Sequence, residues 1–262
     1  MRNFGKPCII AVSSAVLMII LPIPTLVLDI LLALNLIFAL FILLIEEYSK
    51  MPTDFTLCPT LLRVSAHFGL LVNISAARLI LTKGEDFDGL LIRFASSWIA
   101  GSGGTVPLTI GLALFFGVLA IHIMLITKEI TRVEEAAARF TVDSVPEKQM
   151  AINAKLGAGI IDEKEFTARK ELLQKETAFY DGMKSAAKFI YRNEKIRILI
   201  IALTIPGSLL AGVLFNGGTF ADAVEIYIPL VIGSGLLSML PPLLISTTAG
   251  IVVTESSAEG EK

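Results

Sequence analysis

The side chains most able to do chemistry are polar and ionisable groups inside long apolar stretches. Arg63 and Arg78 interrupt one such stretch, and Asp29 lies near one end of another. A charge at the centre of a membrane-crossing helix costs about 2.5–3.5 kcal/mol on the lenient insertion scale, so such groups usually face protein or water. Both arginines can also extend toward the lipid headgroups, and for Arg78 the two interpretations stay open. Asn73 lies deeper and is predicted to hydrogen-bond across a helix pair.

Histidines and cysteines form no catalytic or metal-binding pattern in this sequence. His67 and His122 are the two histidines, and each is more typical of a hydrogen bond to a neighbouring helix than of a proton relay. Cys8 and Cys58 predict neither a disulfide framework nor a zinc site. Phosphate-binding loops, nucleophile elbows and dinucleotide fingerprints are also missing. We therefore expect no catalytic residue, no cofactor, no metal site and no enzymatic activity.

The composition is typical of a membrane protein. Hydrophobic residues make up 54% of the chain and charged residues only 18%, whereas soluble domains carry roughly 25% charged residues. Apolar residues come in blocks of about 20, the length that a helix needs to cross the hydrocarbon core. Without a basic arm, nucleic acid is not an expected partner. The predicted fold is all-α and polytopic with about six transmembrane helices, at residues 8–21, 26–45, 61–82, 106–127, 196–215 and 226–253.

Basic residues are concentrated in one segment, which predicts the orientation. Residues 128–197 carry 14 of the 22 lysines and arginines, and the positive-inside rule places such a segment in the cytoplasm together with both termini. The predicted organisation is four transmembrane helices (1–127), a cytoplasmic helical loop (128–195), two further transmembrane helices (196–254) and a polar tail (255–262).

The loop is predicted to be folded. Asp162, with Glu165 three residues later, is typical of a helix N-cap. The helix that follows has apolar residues at helical spacing, namely Leu172, Phe179, Met183, Ala186 and Ile190. An earlier helix is predicted at residues 129–140, ending before Pro146. The apolar faces must be buried against each other, the membrane surface or a neighbouring subunit.

Small residues and prolines mark two of the predicted spans. Close helix packing is predicted at Gly111, Gly117, Ala120, Gly233 and Gly235. Pro241 and Pro242 lie inside the sixth span, and because proline has no amide proton they leave carbonyl oxygens free near Ser238 and Ser246. Broken helices of this kind line cavities in transporters, although they are equally often simple kinks.

The segment Arg132–Ala151, RVEEAAARFTVDSVPEKQMA, resembles the loop of the FHIPEP family. This family contains the FlhA/SctV-type export gates of bacterial flagella and type III secretion injectisomes. The likeness continues in colinear order over nearly the whole chain, through Leu28–Leu40, Asn73–Leu81, Ile126–Lys128, Leu156–Ile161, Phe179–Met183 and Ile245–Thr254.

This resemblance implies an inner-membrane subunit that forms a ring, with nine copies expected, and couples the proton motive force to protein export. The implied partners are other copies of the chain, other export-apparatus membrane proteins, exported proteins and the lipid bilayer. The resemblance also marks ion-coupling or loop-interaction candidates. Arg78, Asp143, Lys148 and Gln149 match the family pattern, and Glu194 stands where the family usually has aspartate. On composition alone, the last four are ordinary solvated side chains.

Four positions depart from the family pattern. Gly69 replaces an arginine, while Asn153, Lys155 and Ser234 replace carboxylates. Amide and hydroxyl groups do not titrate near neutral pH, so these changes remove possible proton carriers. Two alternatives to an export gate therefore stay open. One is a stand-alone ion channel or secondary transporter that uses the sixth helix, and the other is a degenerate or truncated export-gate remnant.

Overall fold

The computed structural model describes residues 23–48, 57–100, 108–214 and 217–259 of the 262-residue chain. Within these ranges the regular structure is entirely helical, which confirms the all-α prediction. The helices are α1 (Thr25–Tyr48), α2 (Cys58–Lys83), α3 (Leu90–Ala100), α4 (Leu108–Arg139), α5 (Val145–Gly157), α6 (Glu163–Leu214) and α7 (Phe220–Glu259). A short 3₁₀ turn follows α2, and a π-helical segment, Phe140–Ser144, joins α4 to α5.

Five helical stretches in the described ranges are long and apolar enough to cross a membrane. They lie in α1, α2, α4 with α5, α6 and α7, and they match the second to sixth predicted spans. The predicted span at residues 8–21 lies outside the described residues. Sequence and structure therefore both indicate a multi-pass membrane protein.

Two predicted helix boundaries differ from the structure. The helix expected at residues 129–140 is the last part of α4, which begins at Leu108 and ends at Arg139, before Pro146 as predicted. The chain nevertheless stays helical through the π-helical segment, and this proline occupies the first turn of α5. A proline is tolerated there, since the first-turn amides have no intrahelical partner. Likewise, α6 runs through residue 195 without a break, so the loop helix and the fifth span are one 52-residue helix.

The Asp162 cap at the start of α6 is confirmed. Its Oδ1 accepts a hydrogen bond of 2.7 Å from the backbone amide of Glu165. The side chain of Glu165 does not complete a capping box with this cap, because it pairs with Arg169 one turn later.

Helices α2 and α7 form the centre of the bundle. In their most apolar windows, 61% and 67% of the residues are buried, against 22–28% in the windows of α1, α4 and α6. The three peripheral helices therefore present most of their apolar surface outward, as lipid-facing helices do. The central pair is covered by protein and can carry buried polar groups.

The apolar face of the loop helix packs against its own chain. Phe179, Met183, Ala186 and Ile190 are buried in a core with residues of α2 and α7. Leu172 is 56% exposed, and its place on the buried face is taken by Leu173. Of the partners left open by the sequence, the structure favours the chain's own helices over a neighbouring subunit for this face.

Helix α3 was not among the predicted elements. With 11 residues it is too short to cross a membrane, and its apolar face packs on α7. Gly233 permits this contact, because a Cβ atom there would collide with the backbone of Ile92 and Ser96. The two carboxylate oxygens of Asp29 accept hydrogen bonds from the first amides of α3, at Leu90 and Leu91. Asp29 thus caps the start of α3.

The packing predicted from small residues is correct in part. Gly235 lies against the ring of Phe115, and Gly111 is buried. Gly117 and Ala120 are exposed, and no atom lies within 4 Å of a Cβ built at Gly117. These two residues face away from the bundle because α4 is a peripheral helix.

Candidate functional site

A buried charged cluster lies where the polar half of α6 gives way to its apolar half. Glu194 and Arg197 are 5% and 2% exposed. The expectation that Glu194 is an ordinary solvated side chain is therefore wrong. Arg197 is likewise not a solvated loop base, although its charge contributed to the count that predicted the orientation. The segment keeps 13 other lysines and arginines, so the charge count still predicts the same orientation.

Glu194 uses both carboxylate oxygens. Its Oε1 lies 3.0 Å from Nη1 of Arg197, one turn further along α6. Its Oε2 lies 3.3 Å from Nε2 of His122 on α4, which is itself buried. With its proton on Nε2, His122 donates to the carboxylate, and this fulfils the prediction of a hydrogen bond to a neighbouring helix. The contact also brings a second titratable group next to Glu194.

Arg197 reaches a carbonyl group that a proline leaves free. Its Nη1 donates a hydrogen bond of 2.6 Å to the backbone oxygen of Ser238 on α7. In an α-helix this oxygen would accept from the amide of residue 242, but Pro242 has no amide proton. The predicted free carbonyl near Ser238 is confirmed, and α7 nevertheless continues as one helix through both prolines.

Two further helices close the cluster from the other side. A Cβ atom at Gly69 on α2 would lie 3.3 Å from Nη2 of Arg197 and 3.0 Å from Nδ2 of Asn35 on α1. The guanidinium of Arg197 is therefore packed against the position where the family pattern carries an arginine. A positive charge is present at this place, although it comes from α6 instead of α2.

Several buried polar atoms in this region lack a hydrogen-bond partner within the described residues. They include Oδ1 of Asn35 and Asn73, Oγ of Ser65 and Ser75, Nδ2 of Asn193 and Nε of Arg197. The predicted partner for Asn73 across a helix pair is thus not found at its Oδ1. Buried polar atoms without protein partners are the usual binding points of internal water.

The other four candidate residues are not part of this cluster. Arg78 is half-buried, nine residues beyond Gly69 on α2. Asp143 and Gln149 are exposed in the loop. Lys148 forms an ion pair of 2.8 Å with Glu176 on α6, with its ammonium 5.3 Å from the ring centre of Phe140. Of the loop candidates, Lys148 joins α5 to α6, and Glu194 alone among the candidates lies in the buried cluster.

A small cleft between α5 and α6 contains one departure from the family pattern. Its volume is about 170 Å³, and it is lined by Gln149, Ile152, Asn153, Phe166, Lys170 and Leu173. Lys155 is exposed on α5, and Ser234 is buried in α7. These three substituted positions make none of the hydrogen bonds or ion pairs of the Glu194 cluster.

Sequence reasoning missed the roles of Arg197, His122 and Asn35. The available signal was the spacing of Glu194 and Arg197, which places both on one helix face, with Arg197 already inside an apolar run. A charge in that position needs a buried partner. No sequence signal connects His122 or Asn35 to this pair, since they come from other helices.

The cluster contains two groups that can hold a proton, the carboxylate of Glu194 and the imidazole of His122. A carboxylate and an imidazole in contact can exchange a proton, and the guanidinium balances the carboxylate charge. Within the described ranges, no group of three or more histidine, cysteine, aspartate or glutamate side chains could hold a metal ion.

Comparison with known proteins gives a family. The FHIPEP family profile matches residues 15–262. The chain is 46% identical over 237 residues to the flagellar biosynthesis protein FlhA of Borreliella burgdorferi, covering 90% of this chain and 34% of that protein. It is 44% identical over 251 residues to FlhA of Treponema pallidum, covering 96% and 36%. It is 36% identical over 251 residues to the harpin secretion protein HrpI of Erwinia amylovora, covering 96% and 34%.

The chain thus spans about a third of the length of the curated relatives that it matches. No solved structure matches it.

Proposed function

This chain belongs to the FHIPEP family, and from that premise we propose that it is a subunit of a bacterial protein export apparatus in the inner membrane and not an enzyme. The relatives named for flagellar biosynthesis and for harpin secretion support this proposal. They belong to flagellar and secretion systems alike, so the proposed class is export through a flagellar or type III machine.

The observation that carries the proposal is the buried Glu194 beside His122 in a membrane-spanning bundle. An ionised carboxylate inside such a bundle costs several kcal/mol unless it is paired, so a group of this kind usually has a function in ion movement. In the proposed function, Glu194 binds and releases protons and thereby couples the proton motive force to export. Asn153 and Lys155 are exposed on the loop, so their substitution leaves Glu194 in place.

The proposed assembly is a ring of identical subunits, nine in number, with both termini and the loop on the cytoplasmic side. Outward-facing apolar residues on α1, α4 and α6 offer surface for lipid and for neighbouring membrane subunits. Exported proteins and other export-apparatus subunits are the proposed partners. The loop faces them through α5, whose residues are exposed or half-buried.

A chromosomal substitution in the source cells tests this function. We expect deletion of the gene to stop secretion of flagellar or type III substrates, and Glu194→Gln to have the same effect because the amide cannot carry a proton. Glu165→Gln is the matched control, since Glu165 is an exposed carboxylate on the same helix. Secreted protein is measured at equal membrane levels of each variant. Normal secretion in the deletion strain would exclude an export function, and normal secretion with Glu194→Gln would exclude coupling through Glu194.

A further inference from the structure

Arg197 contacts both the carboxylate of Glu194 and the backbone of α7. Nη1 forms an ion pair with the carboxylate of Glu194, at 3.0 Å, and the same nitrogen donates a hydrogen bond to the Ser238 carbonyl on α7, at 2.6 Å. The guanidinium therefore balances the buried carboxylate and also fastens α6 to the place where Pro242 opens the ladder of α7.

We propose that Arg197 is a tethered counter-ion that keeps Glu194 ionised and must leave the Ser238 carbonyl before Glu194 can take up a proton. The proposal rests on the proposed function, because it concerns the same carboxylate. Arg197 is then a positioning residue. It affects proton binding by Glu194 and does not bind the proton itself.

The charges around the carboxylate explain why it stays ionised. The ionisable groups in contact with Glu194 are Arg197 on its own helix, through an ion pair, and His122 on α4, through a hydrogen bond. The groups that α1, α2 and α7 bring to the guanidinium are neutral, namely Asn35, Gly69 and the Ser238 carbonyl. If a proton from water binds to Glu194, the carboxylate becomes a neutral acid and Arg197 becomes the one uncompensated charge of the cluster. Proton uptake is unfavourable for as long as the guanidinium stays in place.

The contacts of the Arg197 guanidinium allow it to be released from the Ser238 carbonyl. Nε of Arg197 is buried without a partner in the described part of the chain. The Ser238 carbonyl is available to Arg197 only because residue 242 is a proline. Gly69 adds no side chain that would hold the guanidinium in position. Oδ1 of Asn35 is an acceptor for which the described residues supply no donor. A change in the packing of α6 on α7 would thus move Arg197 away from Ser238 and allow Glu194 to take up the proton.

The test follows the protonation of Glu194 directly. The full chain is reconstituted in liposomes, and the infrared C=O stretching band of a protonated carboxyl is recorded as a function of pH. The band of Glu194 is the one that Glu194→Gln removes. In Arg197→Met we expect this band to persist to a higher pH than in the unmodified chain, because the positive charge beside the carboxylate is lost. Lys195→Met removes a neighbouring exposed charge and should leave the band unchanged.

A second variant tests the carbonyl contact without a buried charge being lost. Pro242→Ala restores an amide that donates to the Ser238 carbonyl and so competes with Arg197. We expect a shift in the same direction as in Arg197→Met, but smaller. The double variant Glu194→Gln with Arg197→Met should show no band from this site.

The possible outcomes separate the proposal from the proposed function. An unchanged band in both Arg197→Met and Pro242→Ala would overturn the proposal even if secretion depends on Glu194. A shift in Arg197→Met alone would support the counter-ion and overturn the part assigned to the Ser238 carbonyl. A shift in both variants supports the proposal whether or not the source cells need Glu194 for secretion, since the band reports protonation and not export.

Discussion

Glu194 and Arg197 form a buried ion pair, and the stability of a fold does not require such a pair. Removing two charges from water costs several kcal/mol per ion, and well-packed apolar residues of similar volume are often as stable or more so. The pair is 5% and 2% exposed and is joined by His122 and a free carbonyl. The partners of the pair come from two other helices, α4 and α7, and this arrangement fits the proton-binding role proposed for Glu194.

Asp88 gives a pH-dependent prediction at the same scale. The hydroxyl of Thr25 donates to its Oδ1 at 2.6 Å and Lys83 lies at 3.1 Å, and these contacts, with the Thr25 hydrogen bond as the main cause, lower the pKa of Asp88 from 3.8 to about 2. Since the folded-state pKa is the lower one, the stabilisation is present above pH 3.8 and is lost as the pH falls toward 2. We expect Asp88→Asn to unfold at a lower temperature than the unmodified chain at pH 6, with this difference much smaller at pH 2.

Thermal unfolding in detergent at both pH values measures the effect. Asp86→Asn, at an exposed carboxylate two residues earlier, is the matched control and should change little at either pH. A difference between Asp88→Asn and the unmodified chain that is equally large at pH 2 would contradict the assignment.

At the scale of the element, α7 shapes the packing of the bundle because it combines small residues with prolines. Glycines 233 and 235 let α3 and α4 approach its backbone, and the prolines free carbonyl groups inside a helix that stays continuous. A helix that packs on α1 to α4 and on α6 tolerates these residues because neighbours replace the contacts and hydrogen bonds that they remove. At Ser238, the helix hydrogen bond that the proline removes is replaced by a hydrogen bond from the charged side chain of Arg197.

Two glycine-to-alanine changes test this packing. A Cβ at Gly235 would lie 2.7 Å from the ring of Phe115, which is fully buried. We expect Gly235→Ala to lower the free energy of unfolding by ~1–3 kcal/mol, the usual cost of overpacking. Gly117→Ala has open space and should raise it by ~0.5–1 kcal/mol, because alanine loses less conformational freedom in a helix. Unfolding in mixed detergent micelles measures both, and equal effects would refute the packing account.

At the scale of the whole molecule, the orientation in the membrane is a prediction from charge alone. Single cysteines at Lys170 on α6 and at Gly218, which precedes α7, would lie on opposite sides of the bilayer. We expect a membrane-impermeant thiol reagent to label the cysteine at residue 218 in intact cells and to spare the one at residue 170. Both positions lie outside the packed core, so burial does not decide the result.

Cys8 and Cys58 must be replaced first, so that the reagent reports the introduced thiol alone. Permeabilised cells are the control, and both positions should react there. The reverse pattern in intact cells would place the loop on the outer side.

Local pattern by itself determined the helical class, the second to sixth spans, the start of α6 at Asp162 and the free carbonyl near Ser238. Each of these depends on neighbours in sequence, because helix periodicity, capping and the missing proline amide act within one or two turns. Tertiary structure decided the rest. It buried Glu194 and Arg197, it brought His122 and Gly69 to them from other helices, and it turned Gly117 outward. The physical reason is that burial and partnership depend on which helices are neighbours in space, and no periodicity within one helix specifies its neighbours.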